Sequence, residues 1–237
     1  PKGKVGLFLE LNGVSYRLAM REVGGVPLLK RMADRCRMAG NIDVVVTIFP
    51  KDGDCDILDL YYEAARNEET PVIVRVKGES PFIDPGMIDV FVAKFLEYHG
   101  MPEYPGGVES MRGEAWSRGG IKYLSNTIDR SFPRGLEVEV FSYSALAYSW
   151  LTSQPQAEGT REWNERARRE VTLLMREGLP AMSLVNGVDL SGEDLSFGAP
   201  GVMDLAERVW ERYPGGAFTY AQVLEMKATS SLSVLRP

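Results

Sequence analysis

The chain has 237 residues, 44% of them hydrophobic and 25% charged, with a formal net charge of −6. That is enough core for one large α/β domain or two small ones, while the acidic balance argues against a broad nucleic-acid surface, which needs clustered and uncompensated Lys and Arg. Two cysteines, Cys36 and Cys55, outside any CxxC pair form neither a disulfide framework nor a zinc site, and no run is apolar for long enough to span a membrane.

From "PKGKVGLFLELNG" the chain enters a strand, Lys4–Glu10, without a signal-peptide pattern, so a reduced, cytoplasmic protein is expected. A helix from Pro27 aligns Leu28, Leu29, Met32 and Cys36, and a strand follows over Ile42–Phe49. "CDILDLYYEAARN" reads as a helix with Ile57, Leu58, Tyr61 and Ala65 inward, and "PVIVRV" as a strand covered on both faces. Asp84-Pro85 opens an amphipathic helix, with Ile88, Phe91, Val92, Phe95 and Leu96 at helical spacing and Gly100 to end it. Residues 100–120, rich in Gly and Pro, read as an arm or lid. "IKYLSN" and "LEVEVFS" return to strands, and after "TSQPQAEG" a helix from Arg161 aligns Trp163, Ala167, Val171 and Leu174. Another carries Val202, Leu205, Ala206, Val209 and Trp210. The last opens on a capping box, Thr219 to Gln222, with Phe218 and Val223 as a hydrophobic staple. Alternating strands and helices predict a single α/β domain over residues 1–237, with a doubly wound, mostly parallel sheet.

Ligands of such sheets collect at the carboxyl ends of the strands. Glu79, in the "KGESP" that follows the "PVIVRV" strand, is therefore a site candidate, with a solvated turn as the alternative. Asp84 is read first as a helix cap, and the single histidine, His99, as a helix-end residue. In "LEVEVFS", Glu137 and Glu139 share one strand face and are either solvated or aimed into a pocket. "DGDCD" at 52–56 contains a DxD pattern of the kind that holds metal in sugar-transferring enzymes, although such patterns arise readily in acidic loops.

Together, "GGVPLLKR" (24–31), "DILDLYYEAA" (56–65), "VIVRVKGESPFIDP" (72–85), "YLSNT" (123–127) and "FPRGLEVEVFSYSAL" (132–146) resemble the cytidylyltransferase-like family of spore-coat polysaccharide biosynthesis proteins. Its relatives join CTP to acidic sugars such as 3-deoxy-manno-octulosonate or neuraminate. The resemblance implies a nucleotidyltransferase fold (GT-A-like, Rossmann-like), a homodimer built with the arm, and magnesium as cofactor. The implied reaction is attack of a sugar hydroxyl on the α-phosphate of CTP. Carried over residue by residue, the nucleotide site is Leu11, Asn12, Gly13, Ser15 and Arg17. Glu79 becomes the metal ligand and, with Arg17, catalytic, while Ser125, Asn126, Arg134, Glu137 and Glu139 bind the sugar.

The sequence also departs from the family pattern. Asn12 stands where the phosphate loop has its first Arg, and the loop's Pro-Gly-Lys is missing. Thr-Gly-Asp-Cys-Pro becomes Lys77-Gly78-Glu79-Ser80-Pro81, and Gly198 takes the place of a second metal-binding Asp. In "RREVT", Glu170 replaces a His, and the helix and strand that relatives place before "DILDLYY" are absent. A binding or scaffold protein without metal-dependent turnover is the alternative that these departures raise.

Overall fold

The computed structural model describes residues 3–11, 13–50, 56–99, 120–154 and 160–233. Its strands are β1 (Val5–Glu10), β2 (Glu22–Val23), β3 (Val26–Pro27), β4 (Val44–Ile48), β5 (Val72–Lys77), β6 (Tyr123–Ser125), β7 (Val138–Ser142) and β8 (Ala181–Ser183). Six of them form one sheet in the order β4-β1-β5-β7-β6-β8, and β2 and β3 form a small hairpin. β1 runs parallel to β4 and β5, and β6 parallel to β8, whereas β7 is antiparallel to both of its neighbours. The carboxyl ends of β1, β5 and β6 therefore meet the beginning of β7 along one edge.

Strand alternation sorts the core into two layers. On one face, Leu7, Leu9, Val74, Val76, Leu124, Val138 and Val140 pack against α2 (Leu28–Arg37), α4 (Pro85–His99), α8 (Val202–Arg212) and α9 (Tyr220–Ser233). On the other, Phe8, Ile73, Tyr123 and Phe141 meet α3 (Ile57–Asn67), α5 (Tyr143–Thr152) and α7 (Leu173–Gly178). Helices on both faces make the sheet doubly wound, as expected, and each fully buried Leu, Val or Phe contributes about 1.5–3 kcal/mol.

Asp84 caps two helices at once. Its Oδ1 accepts from the amides of Gly86 (2.9 Å) and Met87 (3.4 Å) at the start of α4, and its Oδ2 accepts from Tyr220 N (2.9 Å) at the start of α9. The capping box is present too, with Thr219 N donating to Gln222 Oε1 at 2.8 Å and Gln222 N to Thr219 Oγ1 at 3.4 Å. Arg35, buried on α2, donates to the carbonyls of Ile83, Gly216 and Phe218 and lies over the Phe218 ring, which fastens the loop before α9. Burial pulls its pKa down to about 10, against the opposing pull of Asp84. His99 ends α4 buried, its Nδ1 2.5 Å from Ile121 O.

One helix differs from the sequence expectation. The run from Arg161 stops at Arg169, giving α6 (Arg161–Arg169), and resumes as α7 after a turn. The break turns Leu173 and Met175 inward and leaves Leu174 half-buried, and it lets Thr172 reach the sheet. Among the described residues no helix is long and apolar enough to cross a membrane. Except for Gly120, the expected arm lies outside the described residues, as do Asp52, Gly53, Asp54 and Cys55 of the DxD pattern.

Candidate active site

A cleft of about 700 Å³ opens where the carboxyl ends of β1, β5 and β6 meet the start of β7, within the ~300–1,000 Å³ common for small-ligand sites. Its floor is a buried ionic cluster. Arg75, in the middle of β5, donates from Nε and Nη2 to the two oxygens of Glu10 at 2.8 and 3.0 Å, and from Nη1 to Glu139 Oε2 at 2.6 Å. Tyr61 donates to Glu10 (3.0 Å), while Tyr123 (2.6 Å) and Thr172 (2.8 Å) donate to Glu139 Oε1. Two carboxylates thus share one guanidinium, with three hydroxyls filling the remaining acceptor sites. Satisfaction of this kind is what offsets the cost of taking charges out of water.

Strand pairing explains why these residues meet. Glu10 ends β1 beside the end of β5, Arg75 pairs in register with Glu139 across the β5–β7 ladder, and Ser125 pairs with Glu139 across β6–β7. Burial alone would push the Glu139 carboxyl up, but Arg75, then the hydroxyls of Tyr123 and Thr172, more than compensate and hold it below the usual carboxylate range. Burial and the nearby Glu139 raise the Tyr123 phenol.

The rim is charged as well. Arg130 pairs with Glu137 (2.9 Å), Arg169 with Glu165 (3.8 Å) and Arg176 with Glu177 (3.5 Å). Glu170, facing the cleft from the end of α6, accepts from Arg166 (3.0 Å), which holds its carboxyl low. Two cations differ from these: the side chains of Lys77 and Arg134 line the cleft without an ion pair or hydrogen bond among the described residues. Arg134 is held by its main chain, donating to Glu193 O (2.9 Å) and accepting from Leu195 N (2.8 Å). The next residue, Gly135, has φ +83°, and a Cβ there would come within 2.5 Å of Ser196 N. Only glycine allows this approach, which brings "FPRG" against the segment around Asp194.

No family model matches the sequence, and no curated protein matches it. Solved structures do. A cytidylyltransferase from Leptospira borgpetersenii serovar Hardjo-bovis superposes with a TM-score of 0.75 at 19% identity, covering 99% of this chain and 98% of that one. The chain has the cytidylyltransferase fold. A CMP-2-keto-3-deoxy-manno-octonic acid synthetase complexed with CTP is also similar, with a TM-score of 0.51 and 13% identity over 89% of this chain and 99% of that one.

Within this cytidylyltransferase fold the expected site residues are placed as follows. Glu79, Arg134, Glu137 and Glu139 all line the cleft. Ser125 is buried beneath it, its hydroxyl 2.9 Å from that of Thr127, which does line it. Asn126 is also buried, and its amide is taken by the backbone: Nδ2 donates to Leu136 O (2.8 Å) and Oδ1 accepts from Val138 N (3.0 Å). It holds the return into β7 in place. Leu11 is a core residue whose amide is bonded to Ile48 O (2.9 Å). α1 (Gly13–Ala19) begins directly after it, carrying Ser15 and an exposed Arg17 that does not line the cleft, while Asn12 lies outside the described residues. The residues of the cleft floor that the sequence reading missed are Glu10, Arg75, Tyr61, Tyr123 and Thr172. Arg75 had a signal, since a lone cation inside the apolar run "PVIVRV" demands a buried acid.

Magnesium at a nucleotide site is held near about 2.1 Å by one or two carboxylates with phosphate oxygens and waters, and of the two expected carboxylate positions only Glu79 carries one. Among the described residues no group of three His, Cys, Asp or Glu could hold a metal. Phe197 N donates to Glu79 O (3.1 Å), so the two positions expected to carry metal ligands are neighbours, but Gly198 has no side chain. Nearby, Asp194 Oδ1 is taken by the amide (2.8 Å) and hydroxyl (2.6 Å) of Ser196. Asp56 of the DxD pattern caps α3 and binds Arg168.

Proposed function

We propose that the cleft binds CTP and an acidic sugar, and that the protein transfers the cytidylyl group to the sugar in surface-polysaccharide or nonulosonate biosynthesis. The observation that carries this reading is the placement of Lys77 and Arg134, two cations without ion-pair partners among the described residues, over the strand ends of a cytidylyltransferase fold. In the reaction a sugar hydroxyl oxygen bonds to the α-phosphorus as the bond from that phosphorus to the β-phosphate oxygen breaks, releasing pyrophosphate. Arg134 is assigned to grip the anionic groups brought together in the cleft, the phosphates and the sugar carboxylate, as a bidentate donor. Glu79 is assigned to accept the hydroxyl proton. Glu139 is unsuited to that task because Arg75, Tyr123 and Thr172 fill its oxygens and favour its ionised form. A cytoplasmic homodimer belongs to the same reading.

The test is pyrophosphate release from CTP with 3-deoxy-manno-octulosonate or neuraminate, alongside thermal unfolding with CTP, UTP, GTP and ATP. A shift with CTP and release with an acidic sugar support the reading, and no shift with any nucleotide overturns it. One observation favours a second reading, a binding protein without turnover: Gly198 and Glu79 do not form a metal site of the expected kind. A CTP shift without pyrophosphate release would select it.

A further inference from the structure

We propose that the cleft takes a phosphate-bearing ligand without a divalent cation, with the Lys77 ammonium and the Arg134 guanidinium supplying the positive charge. The inference rests on the proposed function in placing the ligand in this cleft, and goes beyond it in removing the metal.

The two cations are set apart from the others in the cleft. Arg130, Arg169 and Arg176 each have a carboxylate within 4 Å, and Arg75 is saturated by Glu10 and Glu139. Lys77 and Arg134 have no carboxylate within 4 Å among the described residues; Asp194, whose ionised form Ser196 and then Arg134 favour, shares the cleft with Arg134 and gives its Oδ1 to Ser196. Each is set by backbone on rigid structure: Lys77 is the last residue of β5, paired with Glu10 of β1, and Arg134 is bonded through its main chain to Glu193 and Leu195. Lys77 lines the cleft together with Glu139 on its floor and Glu170 on its wall.

Gly78 fixes that placement. Its amide donates to Glu10 O at 2.6 Å, and a Cβ there would come within 2.3 Å of the Leu11 side chain, so the turn after Lys77 is pressed against the end of β1. A divalent cation coordinated by Glu79 would share the cleft with the Lys77 ammonium, two like charges acting on one anionic ligand. Gly198, beside Glu79 through the Phe197 hydrogen bond, offers no second carboxylate to offset that repulsion. The cleft therefore carries a built-in cation at the strand end where the second expected carboxylate is missing.

Isothermal titration of the full chain with CTP, and separately with inorganic pyrophosphate, in EDTA and in millimolar magnesium decides the matter. Expected are affinities in the two buffers within about twofold, a loss of about tenfold or more for Lys77→Met and for Arg134→Met, and substantial recovery in Lys77→Arg. Both positions are exposed, and unchanged thermal unfolding of the apo variants would separate lost charge from lost fold. CTP affinity that rises tenfold or more with magnesium overturns the inference and leaves the proposed function standing. Pyrophosphate binding in EDTA without CTP binding keeps the inference and removes the nucleotide. Failure of both ligands to bind in EDTA overturns the inference.

Discussion

The amide of Phe197 donates to the carbonyl of Glu79 at 3.1 Å, which places Gly198 next to the turn that ends β5. A Cβ added at Gly198 meets nothing within 4 Å, so a carboxylate fits there. Glu79→Asp combined with Gly198→Asp is expected to create magnesium binding that the parent lacks. Differential scanning with increasing magnesium should show an upward shift only in the double variant, worth about 2.7 kcal/mol at a hundredfold excess over Kd. Equal curves for parent and variant would remove the idea that these positions are a lapsed metal site.

Arg75→Met leaves Glu10 and Glu139 buried without their cation. Removing one partner of a buried ion pair costs about 3–5 kcal/mol, so urea unfolding should show a large loss of stability. A change below about 1 kcal/mol, the value of an exposed pair, would mean that the cluster is hydrated.

The depressed Glu139 carboxyl fixes the sign of a pH effect. Its folded pKa lies below its unfolded value, so its contribution is fully present above the unfolded value, about 4.3. It is lost as pH falls through the folded value. Between pH 6 and pH 3 the parent should lose melting temperature more steeply than Glu139→Gln. Parallel profiles would show that Glu139 has no coupled stabilising role.

Gly135→Ala forces a side chain into left-handed backbone, about 1–2 kcal/mol, and into overlap with Ser196 N, which a Cβ would approach to 2.5 Å. Lower stability and a weaker CTP-induced thermal shift are expected together, because Arg134 moves with its neighbour. Loss of stability with an unchanged shift would separate Arg134 from ligand binding.

Asp84→Ala removes caps from both α4 and α9, at about 1 kcal/mol each. Hydrogen exchange should speed up at Gly86, Met87 and Tyr220, the amides that its carboxylate holds. Acceleration at only one helix would refute the shared cap.

Much of this was legible wherever a local pattern carries the structure. The spacing of Leu28, Met32 and Cys36, the Thr219–Gln222 box and the capping of α4 by Asp84 need only neighbours in sequence. Alternation put Glu137 and Glu139 on one face and left open whether water or a pocket covered it, and the structure gives them the cleft. Distant partners were not legible. Glu10 reads as the polar end of a strand until β5 is laid beside it, and Asn126 reads as a ligand donor until the backbone of Leu136 and Val138 takes both ends of its amide. The break before Thr172 was hidden because Val171 and Leu174 continue the apolar spacing, while the pull on Thr172 comes from Glu139, 33 residues away.

The cluster beneath the cleft also bears on how the chain finds its register. Arg75 meets partners 65, 64 and 97 residues away, so none of its bonds is local. A one-residue slip of β5 would turn Arg75 to the opposite face of the sheet, among Leu7, Leu9 and Val140, with no acid to receive it. A strand of valines and isoleucine alone would tolerate such a slip far better. The charge in its centre makes misregistered pairings costly and so selects one alignment of β1, β5 and β7.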